Sequence, residues 1–77
     1  MGAYMNGVNL SNTNLENANF TNTELELADF TSANLRNVDF TGAYLWHAII
    51  TEKQFALVRL CETVMPNASI SNRDCNK

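Results

Sequence analysis

One histidine, one proline and three glycines in 77 residues leave little from which to assemble a conventional active site. With His47 alone, no centre needing two imidazoles can form, and the spacing shows no serine–histidine–acid or cysteine–histidine arrangement. The scattered glycines supply no phosphate-cradling loop. Lysine and arginine total five against eight aspartates and glutamates, and they form no basic stripe, which argues against nucleic acid as a partner. No apolar run has the length of a membrane-spanning helix and no signal-peptide pattern is present, so membrane insertion is not expected. The two cysteines come with no second ligand cluster, so neither a metal nor any other cofactor is expected.

What the chain does have is a period of five. A large apolar residue recurs at Met5, Leu10, Leu15, Phe20, Leu25, Phe30, Leu35, Phe40, Leu45 and Ile50. Two residues before each stands a small or β-branched one: Ala3, Val8, Thr13, Ala18, Thr23, Ala28, Ala33, Val38, Ala43 and Ala48. On an α-helix, steps of five turn each apolar residue about 140° from the last, so no stripe forms. On a straight strand an odd step throws it to the opposite face. The pattern therefore demands a bend in every repeat, and the intervening Asn, Asp, Ser, Thr and Gly are bend-forming residues. One bend of roughly a right angle per repeat closes a coil after four repeats, and the next coil stacks on it about 4.8 Å away. Positions twenty apart then share a side: Met5 with Leu25 and Leu45, Leu10 with Phe30 and Ile50, Leu15 with Leu35, Phe20 with Phe40. Each column is apolar, which predicts a solenoid core.

The tandem units Ala18-Asn19-Phe20-Thr21-Asn22, Ala28-Asp29-Phe30-Thr31-Ser32 and Ala33-Asn34-Leu35-Arg36-Asn37 resemble the pentapeptide-repeat family, whose consensus is roughly Ala-Asp/Asn-Leu-x-x. The resemblance covers about residues 3 to 50. It implies an all-β architecture, a right-handed quadrilateral β-helix of about two and a half coils over residues 1–51, followed by a C-terminal cap over 52–77.

In the cap, Thr51-Glu52-Lys53-Gln54 reads as a capping box and predicts a helix near 52–58, with Phe55, Ala56, Val58 and Leu60 lining one side. Pro66 and Asn67 mark a turn within strand-like pieces from about 60 to 72. The five-residue register also runs on formally through Phe55, Leu60, Met65, Ile70 and Cys75. Leu60 to Ile70 resembles the closing segment of cyanobacterial and thylakoid-lumen pentapeptide proteins, commonly Leu-Cys-x-Thr-x-Met-Pro-Asp-Gly-Ser-Ile, followed by a second cysteine; Asn67-Ala68 here departs from Asp-Gly. Placement in the cap, together with this resemblance, implies a Cys61–Cys75 disulfide, the alternative being two reduced thiols. With the bridge the expected compartment is a periplasm or thylakoid lumen, and without it the cytoplasm.

Residues 1–47 hold Glu16, Glu24, Glu26, Asp29 and Asp39 against Arg36, a net of −4, while residues 48–77 stand at +1. One outer face is distinctive. It carries Tyr4, Glu24 and Tyr44, beside them Glu26 and Trp46, then Leu27 and His47. The first reading is packing by the C-terminal segment folded back over Tyr44, Trp46 and Ile49; a partner contact, which aromatic residues outside an already filled core suit, and incidental exposure are the other readings. The outward Glu24 and Glu26 lack the cleft that tunes a catalytic carboxylate pair, and His47 is expected at a solvated turn. Gly2-Ala3-Tyr4-Met5 is nearly repeated at Gly42-Ala43-Tyr44-Leu45, so the first residues are already repeat, and the chain is expected to be a fragment of a longer solenoid. A bare first coil invites end-to-end self-association through the N-terminal coil.

These features together point to a non-catalytic structural or protein-interaction module with an unidentified protein partner. The alternative, implied by the family, is a DNA-mimicking inhibitor or protector of a type II topoisomerase, if the chain belongs to a longer acidic solenoid.

Overall fold

The computed structural model describes residues 3–75; Met1 and Gly2 of the expected solenoid, and Asn76 and Lys77 of the expected cap, lie outside the described residues. The bend that the period demands is present in each repeat. Residues 7, 12, 17, 22, 27, 32, 37, 42 and 47 all have φ between +56° and +74°. Each lies two positions after a large apolar residue, at the left-handed third position of a turn. The turn is closed by an N–H to that residue's carbonyl, as from Ala18 to Leu15 (2.9 Å) and from Ala28 to Leu25 (3.0 Å). Asn and Asp ahead of the apolar residue steady the bend from outside. The side chains of Asn9, Asn14, Asn19, Asp29, Asn34 and Asp39 each accept the N–H two residues on, at 2.9–3.1 Å.

Between bends only one residue per repeat pairs with its neighbour, so the sheet consists of parallel bridges at a spacing of twenty. One column joins Tyr4, Glu24, Tyr44 and Val64; others join Asn9, Asp29 and Ile49, Asn14 and Asn34, and Asn19, Asp39 and Arg59. Main-chain bonds run both ways between rungs: Leu25 donates to Tyr44 O (2.8 Å), and Tyr44 to Thr23 O (3.0 Å). This is a β-helix-type fold.

Inside, the expected columns meet. Leu25, Phe30, Leu35, Phe40 and Leu45 are wholly buried, with Ala28, Val38 and Ala43 filling the narrower positions. Phe20 and Phe40, from one column, stack at 5.7 Å, and Phe30 enters from the opposite side edge-on to both, at 6.2 and 5.7 Å. Met5, Leu10 and Leu15 pack on this cluster but are only partly buried, because the first described coil has a neighbour on one side only.

Stacking continues past residue 51 through Asp39–Arg59 and Tyr44–Val64, so the C-terminal segment extends the same stack. A helix, α1 (Glu52–Phe55), takes the place of one side of that turn. The capping box forms as the sequence predicts, between Thr51 and Gln54. The helix is shorter than the expected 52–58: its C-cap is Ala56, which is exposed, while Val58 and Leu60 are buried after the chain has left the helix. The reason lies in Gln54. Its side chain turns inward and donates to Phe30 O (2.7 Å) and Ala33 O (3.0 Å), satisfying core-end carbonyls that a continuing strand would otherwise cover.

Two strands follow, β1 (Thr63–Val64) and β2 (Ile70–Ser71), paired antiparallel with Val64 opposite Ile70. The formal register therefore breaks after Met65, and Ile70 is 65% exposed rather than a core residue. The connecting turn uses Asn67, whose side chain accepts from Ser69 N–H (3.1 Å) and Oγ (2.6 Å). Ala68 takes φ +71°, a conformation that costs a non-glycine residue about 1 kcal/mol.

The tail then locks the end. Asp74 is buried, accepting from Leu60 N–H (2.9 Å) and donating its own N–H to Leu60 O (2.7 Å). Arg73 pairs with the Asp74 carboxylate (2.9 Å) and donates to Phe55 O and Val58 O, so its guanidinium covers carbonyls at and just beyond the end of α1.

Candidate interaction face

The Tyr4–Glu24–Tyr44–Val64 column ends in β2, and that makes one side of the molecule different from the others. Ile70 pairs with Val64, and antiparallel partners point to the same face. The outward ladder is therefore Tyr4, Glu24, Tyr44, Val64 and Ile70, five rungs from three parallel bridges and one antiparallel pair. Beside it, main-chain bonds from Gly7 to Glu26, Leu27 to Trp46 and His47 to Pro66 align a second row of Asn6, Glu26, Trp46 and Pro66.

All seven residues expected on this face are there. Tyr4 is 81% and Leu27 58% exposed, His47 is exposed, and Glu24, Glu26, Tyr44 and Trp46 are half-buried. The Tyr44 and Trp46 rings lie 6.5 Å apart, and the His47 ring sits 4.4 Å from that of Trp46. Asn6 ties the two glutamates to the first rung, donating to Glu24 Oε1 (3.2 Å) and accepting from Glu26 N–H (2.8 Å). Glu24 and Tyr44 border a shallow depression with Asn22, Thr23 and Gly42.

Two features of the face differ from expectation. The C-terminal segment does not fold back over Tyr44, Trp46 and Ile49; it adds Val64 and Pro66 as the next rung, leaving Ile49 54% exposed. Val64 and Pro66 stand twenty residues after Tyr44 and Trp46, so the spacing alone could have found them. Ile70 could not be found that way, because its pairing is antiparallel.

The bends on this face are also unusual. The other left-handed bends between residues 7 and 47 are Asn, Ser or Gly, but here Leu27 (φ +64°) and His47 (φ +61°) occupy them. A bulky side chain in that region is strained by about 1 kcal/mol. Leu27 bears that cost with an apolar side chain turned largely to water.

Away from this face, the Thr31 hydroxyl and N–H hold the Asp29 carboxyl below its ordinary pKa. Among the described residues, no group of three His, Cys, Asp or Glu is placed to hold a metal, and no helix is long and apolar enough to cross a membrane. The Cys61 and Cys75 sulfurs lie at bonding distance, 2.00 Å, with Cα atoms 4.8 Å apart.

Bends at every fifth residue, parallel bridges at a spacing of twenty and a core of stacked Leu and Phe define a β-helix-type repeat module. The chain belongs to the pentapeptide-repeat family: the family's sequence profile, described as pentapeptide repeats, matches residues 3–42 in eight copies. No curated protein and no solved structure matches it. Proteins of this family are generally non-catalytic.

Proposed function

We propose that the protein is a non-catalytic docking module built as a right-handed quadrilateral β-helix, whose stack runs on past residue 51 and is closed by the C-terminal hairpin and tail. Its working surface is the face carrying Tyr4, Glu24, Glu26, Leu27, Tyr44, Trp46 and His47. The observation that carries this reading is the placement of aromatic and strained apolar residues on one outer side of a core that is already filled without them. Residues of that type bury area at little entropic cost when a partner arrives.

The expected result is that a cyanobacterial lysate yields a protein captured by the unaltered domain and lost by a Tyr44→Ser/Trp46→Ser double variant, both first shown folded by circular dichroism. Equal or empty capture by two folded forms would remove the docking role from this face.

The Cys61–Cys75 pair is proposed as a disulfide, and with it an oxidising compartment such as a periplasm or thylakoid lumen. The DNA-mimic alternative draws no support from the dimensions: the longest axis is 30 Å, less than one turn of duplex (about 34 Å).

A second contact is proposed at the N-terminal coil. In the second coil, the N–H groups of Asp29, Asn34 and Asp39 donate to Val8, Thr13 and Ala18. The equivalent N–H groups of Asn9, Asn14 and Asn19 point away from the stack, above the half-buried Met5, Leu10 and Leu15. End-to-end self-association would cover them. Sedimentation equilibrium is expected to show a mass that rises with concentration, and a monomer throughout would count against it.

A further inference from the structure

The face has a charge pattern that narrows its partner. Glu24 and Glu26 occupy one rung at the middle of the ladder, between Tyr4 and Asn6 on one side and Tyr44 and Trp46 on the other. None of the residues forming these two rows or the adjoining bends is lysine or arginine. The only salt bridge among the described residues, Arg73–Asp74, belongs to the cap. The two carboxylates thus sit among aromatic and aliphatic side chains, with the neutral Asn6 donating to the Glu24 carboxylate and accepting the Glu26 backbone N–H.

Resting on the docking role proposed for this face, we infer that the partner is an extended protein segment bearing arginines at alternate positions. Three geometric matches support this. Glu24 and Glu26 are two residues apart, and alternate side chains of an extended segment lie roughly 6.6 Å apart on one face, so two arginines can meet both carboxylates in register. Neighbouring rungs are about 4.8 Å apart, which places Tyr44 and Trp46 within reach of a guanidinium paired to either carboxylate. The guanidinium is flat and weakly hydrated. It can lie against a ring while its N–H groups face a carboxylate, which the compact ammonium of lysine does less well. The shallow depression formed by Asn22, Thr23, Gly42 and Tyr44 beside Glu24 gives such a side chain a place to rest.

Trp46 is the only tryptophan in the chain and lies within the face, so its fluorescence reports occupancy directly. The probes are end-blocked octapeptides of alternating threonine and arginine, and counterparts with glutamine or glutamate in place of arginine. The arginine peptide is expected to bind, the glutamine peptide to bind more weakly and the glutamate peptide not at all. Binding should weaken as salt is raised, because the pairs are partly exposed. A Glu24→Gln/Glu26→Gln variant, close in size to the parent and not part of the core, should bind the arginine peptide about fivefold more weakly, the effect of two modest exposed ion pairs. Equal affinity for all three peptides, no weakening in the double variant, or no binding of the arginine peptide would each overturn the inference. These failures are separable from failure of the docking role. A partner captured through Tyr44 and Trp46, alongside peptides that show no arginine preference, would leave the face a docking surface with a different kind of partner.

Discussion

Phe30→Ala is expected to remove about 3–5 kcal/mol of stability, the usual range for deleting a buried phenylalanine. A domain of this length holds roughly 4–12 kcal/mol in all, so the loss is a large share of the total and leaves the variant partly unfolded at room temperature if the parent stands near the lower figure. The effect should exceed that of any other single truncation in the solenoid. Phe30 is wholly buried and is the one ring that touches both Phe20 and Phe40 from the opposite side of the coil. Its loss leaves a void at the midpoint of the stack, where coils above and below prevent collapse. Phe20→Ala provides the internal comparison. Phe20 keeps 8% exposure near the less covered end, so its surroundings can relax and the loss should be smaller. Urea unfolding followed by circular dichroism measures both. A loss below about 1 kcal/mol for Phe30→Ala, or a larger loss for Phe20→Ala, would contradict the packing described.

The second large effect is expected from the cap. A Cys61→Ser/Cys75→Ser variant should lose about 3 kcal/mol, because a bond across a separation of 14 residues removes that much loop-closure entropy from the unfolded chain. For a domain of this size the melting temperature should fall by roughly 12–24 °C. The folded contacts at the site survive the substitution: Asp74 still holds Leu60, and Arg73 still covers the end of α1. The loss should therefore appear as destabilisation of the whole domain with little change in the native circular dichroism spectrum. Reductant should lower the melting temperature of the parent to that of the variant and leave the variant unmoved. If the two proteins melt together without reductant, the proposed bond contributes nothing to stability.

The solenoid was legible because its core and its bends are written at different positions. Leu25, Phe30, Leu35 and Phe40 declare the inside, while Asn12, Asn17, Asn22 and Asn37 declare the left-handed bends, and neither set depends on distant residues. The cap was harder for a physical reason. Ile70 satisfies the five-residue count, yet the Asn67–Ser69 bonds turn the chain back before it arrives, and a local turn outweighs a register that has no next coil to rest on. Gln54 was legible as a capping-box residue, but its second role was not. Its inward turn follows only once the carbonyls of Phe30 and Ala33 are placed beneath it. The candidate face was legible as a column of outward aromatics, but its boundary at Ile70 was not. Nor can outward positions be decoded as the core can, because the fold accepts almost any residue there, and only departures such as Leu27 in a bend stand out.

The reversal of direction at β2 has a consequence for stoichiometry. Every earlier rung presents a strand on each side of the coil, so a further coil can be laid on it. After the hairpin only one side ends in a strand, and it runs the wrong way; the others end in α1 and the Arg73–Asp74 lock. The C-terminal end of the described stack is therefore closed to a further parallel coil. If the proposed association through the N-terminal coil occurs, it pairs two like ends and is expected to close at two copies, whereas a head-to-tail contact would have to add a coil onto the hairpin, which offers no ladder for it. The hairpin and the tail thus deny a further coil the parallel ladder that repeats of this kind otherwise offer one another.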